Sequence, residues 1–109
     1  MKSRWDVWVA DVRYEDKPWQ SKCRPVVILD SQTTFTLSLK GTSQEPREDC
    51  VGEYVLKSWR EAGLEKETVI RCSMPIQLND SDFRFRIGRL CPVDIYNIKM
   101  ILKDMPWYL

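Results

Sequence analysis

The sequence contains no histidine among its 109 residues. Nucleophilic catalysis by a Ser–His or Cys–His pair is therefore excluded, because no imidazole is present to accept the proton. Glycine is also scarce. The spacing of the four glycines (Gly41, Gly52, Gly63 and Gly88) matches neither a phosphate-binding loop nor a dinucleotide-binding fingerprint.

The four cysteines are widely and irregularly spaced, and none forms a C-x-x-C pair (Cys23, Cys50, Cys72 and Cys91). A structural zinc site is disfavoured, because such sites usually carry closely spaced ligand pairs. A disulfide framework is disfavoured as well, since nothing in the sequence indicates secretion. The sequence predicts reduced, mostly buried thiols, no metal and no cofactor.

Long apolar runs are missing too. No stretch approaches the length that spans a bilayer, and no apolar segment follows the charged N-terminus as in a signal peptide. We therefore expect a cytoplasmic protein with no membrane association, folded as one domain over residues 1–109. The net charge of +1 excludes a globally basic surface. A local basic patch remains open, formed from Arg24, Arg47, Arg71, Arg84, Arg86 and Arg89.

Period-two alternation predicts a mainly β chain. The cleanest alternation runs from Thr34 to Lys40, where Phe35, Leu37 and Leu39 share one face. Apolar runs bounded by polar turns predict the other strands, namely Asp6–Arg13, Pro25–Leu29, Tyr54–Leu56, Thr68–Cys72 and Phe83–Ile87. A further run at 75–78 is expected to continue the strand of residues 68–72 after a break at Met74–Pro75.

Two helices complete the prediction. Ser58 is a suitable N-cap for a short middle helix over Trp59–Ala62, ended by Gly63. A C-terminal helix begins at Pro92 and ends at Pro106, with one apolar face formed by Ile95, Ile98, Leu102 and Met105. Five or six short strands and a terminal helix predict a small, partly open β-barrel, and both SH3-like and OB-like barrels fit this count.

The residues suited to chemistry stand at the ends of neighbouring strands. Arg24 precedes the apolar run of residues 25–29, and Thr42 and Ser43 follow the next strand along the chain. A forked, permanently charged guanidinium and a hydroxyl suit a phosphodiester. RNA cleavage by internal attack fits such a set, because RNA supplies its own nucleophile and the protein has only to align it and stabilise charge.

The order of these segments resembles that of the MazF/PemK toxins of bacterial toxin–antitoxin pairs. The resemblance runs from Trp5 to Leu102 and rests on several short motifs. These are DVWVADV at 6–12, RPVVIL at 24–29, LKGTS at 39–43, Tyr54, WREAGL at 59–64, VIR at 69–71 and IGRL at 87–90, followed by Asp94.

The resemblance implies an SH3-like barrel, a homodimer, a cognate antitoxin and metal-independent, sequence-specific cleavage of single-stranded mRNA. The products it implies are a 2′,3′-cyclic phosphate and a 5′-hydroxyl. It assigns catalysis to Arg24 and Thr42, and places Ser43 and Arg71 at the substrate. The loop of residues 14–22, with Trp19 and Lys22, is expected to bind and select the RNA.

This chain departs from the family pattern at two places. Some PemK-type members carry an acid two residues after the arginine that corresponds to Arg71, and this sequence has Ser73 there. Gly41 before Thr42 is also unusual. Two alternatives therefore remain open: a non-catalytic SH3-like module that binds RNA or a peptide, and a metal-dependent nuclease.

Overall fold

A computed structural model of the chain describes residues 2–14, 16–32, 36–46 and 51–108. The described residues form six strands and one α-helix: β1 (Asp6–Arg13), β2 (Ser21–Ser31), β3 (Thr36–Thr42), β4 (Glu53–Val55), β5 (Val69–Leu78), β6 (Phe83–Arg89) and α1 (Pro92–Leu102). A single 3₁₀ turn at Asp80–Asp82 joins β5 to β6. The strands form one antiparallel sheet in the order β4-β5-β3-β2-β1-β6. The mainly β prediction with a C-terminal helix is thereby confirmed.

Strand β5 contains the predicted break. Leu39 of β3 pairs with Pro75, whereas Gly41, two residues on, pairs with Ile70. Residues 71–74 therefore bulge out of the ladder with β3, while Arg71 remains paired with Glu53 of β4 on the other side. The position of Arg71 is set by this bulge.

Strand β2 is longer than predicted, because residues 21–24 pair with the end of β1 before the apolar run begins. Pro25 consequently lies inside a strand of the sheet interior and pairs with Val9.

Strand β3 is described only from Thr36, so the predicted position of Phe35 lies outside the described residues. Leu39 is fully buried and Leu37 half-buried, as the alternation predicts. Thr36 and Ser38 are buried as well, so both faces of this strand are covered.

Apolar clusters cover the two faces of the sheet. The larger cluster packs β-strand side chains such as Val27, Leu39 and Ile70 against Ile98 and Leu102 of α1. The smaller cluster lies on the other face and contains Ala10, Val12, Val26 and Leu78.

The predicted middle helix is not formed, and residues 58–63 make a series of turns instead. The Ala62 amide donates to the Ser58 carbonyl four residues back, while the Leu64 amide donates to the Trp59 carbonyl five residues back. A four-residue segment gains too few regular hydrogen bonds to offset helix nucleation, so tertiary contacts decide its path.

The sheet is not closed, so the predicted partly open barrel is not confirmed. Strands β4 and β6 are the two edges, and no pairing among the described residues joins them. Instead, the turns at 58–63 reach the edge strand β6. A Cβ added to Gly88 would lie 2.2 Å from the carbonyl oxygen of Ala62. Loop backbone, and not a strand ladder, covers this part of the gap between the edges.

Helix α1 begins at Pro92, as predicted, with Cys91 as its N-cap. It ends at Leu102, before Met105 and Pro106 are reached. Met105 nevertheless packs on the larger cluster from the turn that follows. No helix of the described residues is long and apolar enough to span a membrane.

Candidate active site

A groove of about 650 Å³ opens where β2 and β3 stop pairing. The regular ladder between these strands ends at the Val26–Lys40 pair. The next residue of β2 is Pro25, which has no backbone N–H to donate to β3. The two strand ends therefore separate, and Arg24 and Thr42 come to line the space between them. We call this space the primary groove.

Gly41 lies at the base of the primary groove. A Cβ at this position would lie 3.0 Å from both the Pro25 carbonyl oxygen and the Thr68 Cγ2 atom. The unusual glycine is explained by this crowding, because neighbouring chain segments approach more closely than a side chain would permit. Gly41 thereby sets the position of Thr42 at the end of β3.

The fold brings together four of the predicted site residues. Lys22, Arg24, Thr42 and Ser43 all line the primary groove. Arg86, which the sequence analysis named only as a member of a possible basic patch, lines it too. Sequence reasoning assigned no site role to the other polar lining side chains, which are Cys23, Glu65, Lys66 and Thr68. The lining thus carries four cationic side chains and one carboxylate, although the whole chain has a net charge of +1. This local excess of positive charge favours a polyanion.

Thr42 is buried, and its hydroxyl is oriented by the backbone. Its Oγ1 atom accepts a hydrogen bond from the Gln44 amide at 3.3 Å. The hydroxyl proton is therefore directed away from that amide and can be donated to a ligand oxygen. The same contact is typical of a threonine in a turn, so the structural and chemical roles of Thr42 coincide.

Arg24 stands between two grooves. It lines the primary groove and also a smaller space of about 190 Å³, which we call the adjoining groove. Its guanidinium carbon lies 5.9 Å from the centre of the Tyr14 ring. This distance is within the range of a cation–π contact, which restrains the guanidinium without occupying its N–H donors.

Arg71 lines the adjoining groove and not the primary one. Its Nε atom lies 3.3 Å from Glu53 Oε1, but it makes no hydrogen bond to any described residue. The Nε–H donor is thus not aligned with this carboxylate. Arg13, Tyr14 and Gln44 line the same space. Arg71 and Arg24 therefore share the adjoining groove, which Thr42 does not line.

Trp19 is 75% exposed and lines neither groove. Three other arginines of the possible basic patch form ion pairs with aspartates. Arg86 and Arg89 lie 3.4 and 3.7 Å from Asp6, and Arg84 pairs with Asp11. Arg86 alone of these three lines the primary groove. Arg47 lies outside the described residues.

Residues 57–67, which we call the wall segment, contribute residues 63–66 to the lining of the groove. Its first residues are anchored by Asp94 of α1, a buried carboxylate that accepts hydrogen bonds from the backbone amides of Lys57 and Ser58 at 2.9 and 3.0 Å. The Tyr54 hydroxyl donates to the same carboxylate at 2.6 Å. Sequence reasoning placed Asp94 in the first turn of the helix but could not detect these partners, which are 36 to 40 residues away.

Cys23 is exposed at the edge of the primary groove and donates a hydrogen bond from its thiol to Asp11 Oδ1 at 3.0 Å. This hydrogen bond raises the pKa of Cys23 above its ordinary value, because the neighbouring carboxylate stabilises the thiol and opposes the thiolate. The prediction that cysteines are buried is confirmed for Cys72 but is wrong for Cys23. Cys50 lies outside the described residues.

Among the described residues, no group of three or more cysteine, aspartate or glutamate side chains is arranged to hold a metal ion. What the primary groove offers is a guanidinium, a directed hydroxyl, a set of further cations and a single carboxylate. Such a set can bind a phosphodiester and stabilise negative charge that develops on it.

Comparisons with solved structures identify the fold. The Mycobacterium tuberculosis toxin MazF-mt6 superposes with a TM-score of 0.68 at 19% identity, covering 94% of this chain and 99% of that one. An endoribonuclease in complex with its cognate antitoxin from a mycobacterial species gives 0.74 at 14% identity, covering 98% and 99%. An endoribonuclease from a mycobacterial species gives 0.70 at 13% identity, covering 97% and 94%. No curated protein matches the chain by sequence.

The family comparison covers nearly the whole chain. The profile described as PemK-like, MazF-like toxin of type II toxin–antitoxin system matches residues 3–105. The predicted resemblance is thereby confirmed over all six strands and the helix. The chain belongs to the PemK-like, MazF-like family of toxins of type II toxin–antitoxin systems.

Proposed function

We propose that this protein is the toxin of a type II toxin–antitoxin pair and a metal-independent endoribonuclease that cleaves single-stranded mRNA at a short sequence. The observation that carries the proposal is the primary groove, in which Arg24 and Thr42 line one cationic space at the ends of two strands. Family membership supports the same activity.

Arg24 and Thr42 have complementary roles in this mechanism. The guanidinium of Arg24 binds the nonbridging oxygens of the scissile phosphate and stabilises the charge of the phosphorane as the 2′-oxygen attacks. The Thr42 hydroxyl, which already accepts the Gln44 amide, donates its proton to a phosphate oxygen and fixes the position of the phosphate. The products are a 2′,3′-cyclic phosphate and a 5′-hydroxyl.

The remaining site residues bind the rest of the RNA. Lys22 and Ser43, which line the primary groove, contact nucleotides next to the cleaved bond. Arg71 binds a neighbouring phosphate in the adjoining groove, where it lies beside Arg24. Trp19 is exposed on the loop before β2, where it is free to stack on a base.

The proposal includes the assembly and setting that family membership suggests. The chain is a single SH3-like domain over residues 1–109, forms a homodimer and is inhibited by a cognate antitoxin that occupies the RNA groove. Its mRNA substrate places it in the cytoplasm. One solved structure with this fold is an endoribonuclease in complex with its cognate antitoxin, which supports the antitoxin as partner.

The test is incubation of a long, weakly structured RNA with the purified protein in EDTA, followed by mapping of the ends. We expect cuts at one short sequence with cyclic-phosphate ends. Arg24→Ala and Thr42→Val should each reduce the cleavage rate by roughly 100-fold or more, the usual effect of removing one donor from a site of developing charge. Arg60→Ala is the control, because Arg60 is exposed and lines neither groove.

Three results would contradict the proposal in whole or in part. RNA that is bound by the folded protein but remains intact would indicate a binding module in place of a nuclease. Cleavage that EDTA abolishes and Mg²⁺ restores would indicate a metal-dependent nuclease. Full activity of Arg24→Ala would remove the central role assigned to that residue.

A further inference from the structure

We propose that Glu65 is the general base that takes the proton from the attacking 2′-hydroxyl. The inference rests on the proposed nuclease function and names a residue for a step that Arg24 and Thr42 do not perform. A permanently charged guanidinium is a poor proton acceptor, and a threonine hydroxyl is a weak one. A base therefore has to come from another residue of the primary groove.

Glu65 is the only carboxylate among the described residues that line the primary groove. Its side chain makes no hydrogen bond or ion pair with any described residue, so its oxygens are available to a ligand. The other acids near the groove are engaged. Asp11 accepts hydrogen bonds from Cys23 and Arg84, and Asp6 accepts one from the Ser3 amide and pairs with Arg86.

The other potential base of the groove is the Cys23 thiol. It donates its proton to Asp11 at 3.0 Å, and this contact raises its pKa, so the group remains a thiol in neutral solution. Histidine is absent from the whole sequence. Among the described lining residues, Glu65 is thus the one unpaired carboxylate, and a carboxylate is a group that accepts a proton in general-base catalysis.

Hydrogen bonds at both ends of the wall segment fix the backbone that carries Glu65. Asp94 accepts the amides of Lys57 and Ser58 at its start, and the Leu56 amide donates to the Thr68 carbonyl across its base at 3.0 Å. The Thr68 hydroxyl donates to the Lys66 carbonyl at 3.0 Å, next to Glu65 itself. A base on a segment whose backbone is fixed by these hydrogen bonds keeps its position when substrate binds.

Glu65 lines the same groove as Arg24 and Thr42 but comes from a different part of the chain. Arg24 belongs to β2 and Thr42 to β3, whereas Glu65 belongs to the wall segment that meets β6. A phosphate bound at Arg24 and Thr42 therefore shares this groove with the Glu65 carboxylate. We infer that the carboxylate acts on the side of the 2′-oxygen, because in-line attack places the base and the leaving group on opposite sides of phosphorus.

The step is balanced without a further reactant. The Glu65 carboxylate takes the proton of the 2′-hydroxyl, and the electron pair left on the 2′-oxygen forms the new bond to phosphorus. The P–O5′ bond breaks and its electron pair remains on the 5′-oxygen, which takes a proton from solvent water. Glu65 then releases its proton to the hydroxide that is left, so that water and the free carboxylate are restored.

The experiment compares Glu65→Gln with the wild type in two assays. The first measures single-turnover cleavage of an RNA that contains the mapped site. The second measures binding of the same RNA with a 2′-deoxy nucleotide at the cleaved position, which binds but cannot react. We expect cleavage to slow by about 100- to 10,000-fold, the usual contribution of a general base. Binding of the 2′-deoxy RNA should be unchanged or tighter, because the variant removes a negative charge from a site for a polyanion.

Glu67→Gln is the matched control. Glu67 is an exposed acid two residues away on the same wall segment, but it does not line the primary groove. Its substitution changes the net charge equally, so cleavage should remain within about twofold of the wild type if position and not charge matters. Glu65→Asp, which keeps the carboxylate but shortens its reach, should recover part of the lost rate.

The outcomes separate the two proposals. If the wild type cleaves, Arg24→Ala is inactive and Glu65→Gln cleaves at the wild-type rate, the role of Glu65 is overturned while the nuclease function stands. Equal losses in cleavage and in 2′-deoxy RNA binding would also overturn it, because they would show a structural or binding role. If the wild type leaves RNA intact, the nuclease function fails and the assignment of Glu65 fails with it.

Discussion

The Tyr54 hydroxyl donates a 2.6 Å hydrogen bond to Asp94 Oδ1, joining edge strand β4 to helix α1. Asn97 Nδ2 donates to the same hydroxyl at 3.0 Å, so the phenol oxygen is bonded on both sides. The carboxylate simultaneously holds the start of the wall segment through two backbone amides. One buried acid thus connects a strand, a helix and the part of the groove that carries Glu65.

Asp94→Asn should destabilise the protein by about 1–3 kcal/mol, the cost of leaving buried donors without a charged acceptor. The amide has one acceptor oxygen where the carboxylate has two, so the donors of Tyr54, Lys57 and Ser58 can no longer all be satisfied. Urea unfolding followed by fluorescence measures the change. Asp104→Asn is the control, since Asp104 is exposed after the end of α1. Equal stability of the two variants would contradict the role assigned to Asp94.

Alkaline pH should destabilise the protein through Tyr54. Burial, followed by the hydrogen bond to Asp94, raises the pKa of Tyr54 from 10.0 to about 12. A raised pKa in the folded state means that folding favours the protonated phenol. The contribution to stability is therefore complete below about pH 10, and it is lost as the pH rises towards 12.

Between about pH 9 and 12, the free energy of unfolding should fall more steeply with pH for the wild type than for Tyr54→Phe. Burial also raises the pKa of Cys72, to about 12, and this group adds a slope in the same direction. The comparison with Tyr54→Phe cancels that slope, because Cys72 is present in both proteins. Tyr96→Phe is the control, since Tyr96 is 64% exposed. Parallel curves for the wild type and Tyr54→Phe would show that the phenol does not titrate differently on folding.

Gly88→Ala should both destabilise the fold and impair the groove. The new Cβ would lie 2.2 Å from the Ala62 carbonyl oxygen, a separation that real contacts do not reach. The wall segment or β6 has to move, and overpacking of this kind costs about 1–3 kcal/mol. Thermal unfolding measures the loss of stability, and RNA cleavage below the melting transition measures the displacement of the wall. A variant with wild-type values in both assays would show that the wall segment does not rest on β6 as described.

Several elements follow from the sequence because their causes are local. Alternation of apolar and polar residues is enough to predict much of β3, since a strand with one buried face needs that period. An apolar run with polar ends is enough to predict β1. Pro92 and the apolar spacing after it predict the start of α1 for the same reason. Motif order was enough to place Arg24 and Thr42 in one site, because both stand where adjacent strands end, and the structure brings them together in one groove.

Only the tertiary structure decided the other half of that groove. The segment after Ser58 has helix-forming residues, yet it forms turns because a carboxylate 36 residues later takes its amides and a glycine of β6 lets its backbone approach. Glu65, Lys66 and Arg86 become groove residues through these long-range contacts, which leave no periodic or motif signal in the sequence. The sequence by itself thus determined most of the strands and the residues at their ends that we propose to bind phosphate. The fold alone determined which acid lines the same groove, because that depends on contacts between segments far apart in the chain.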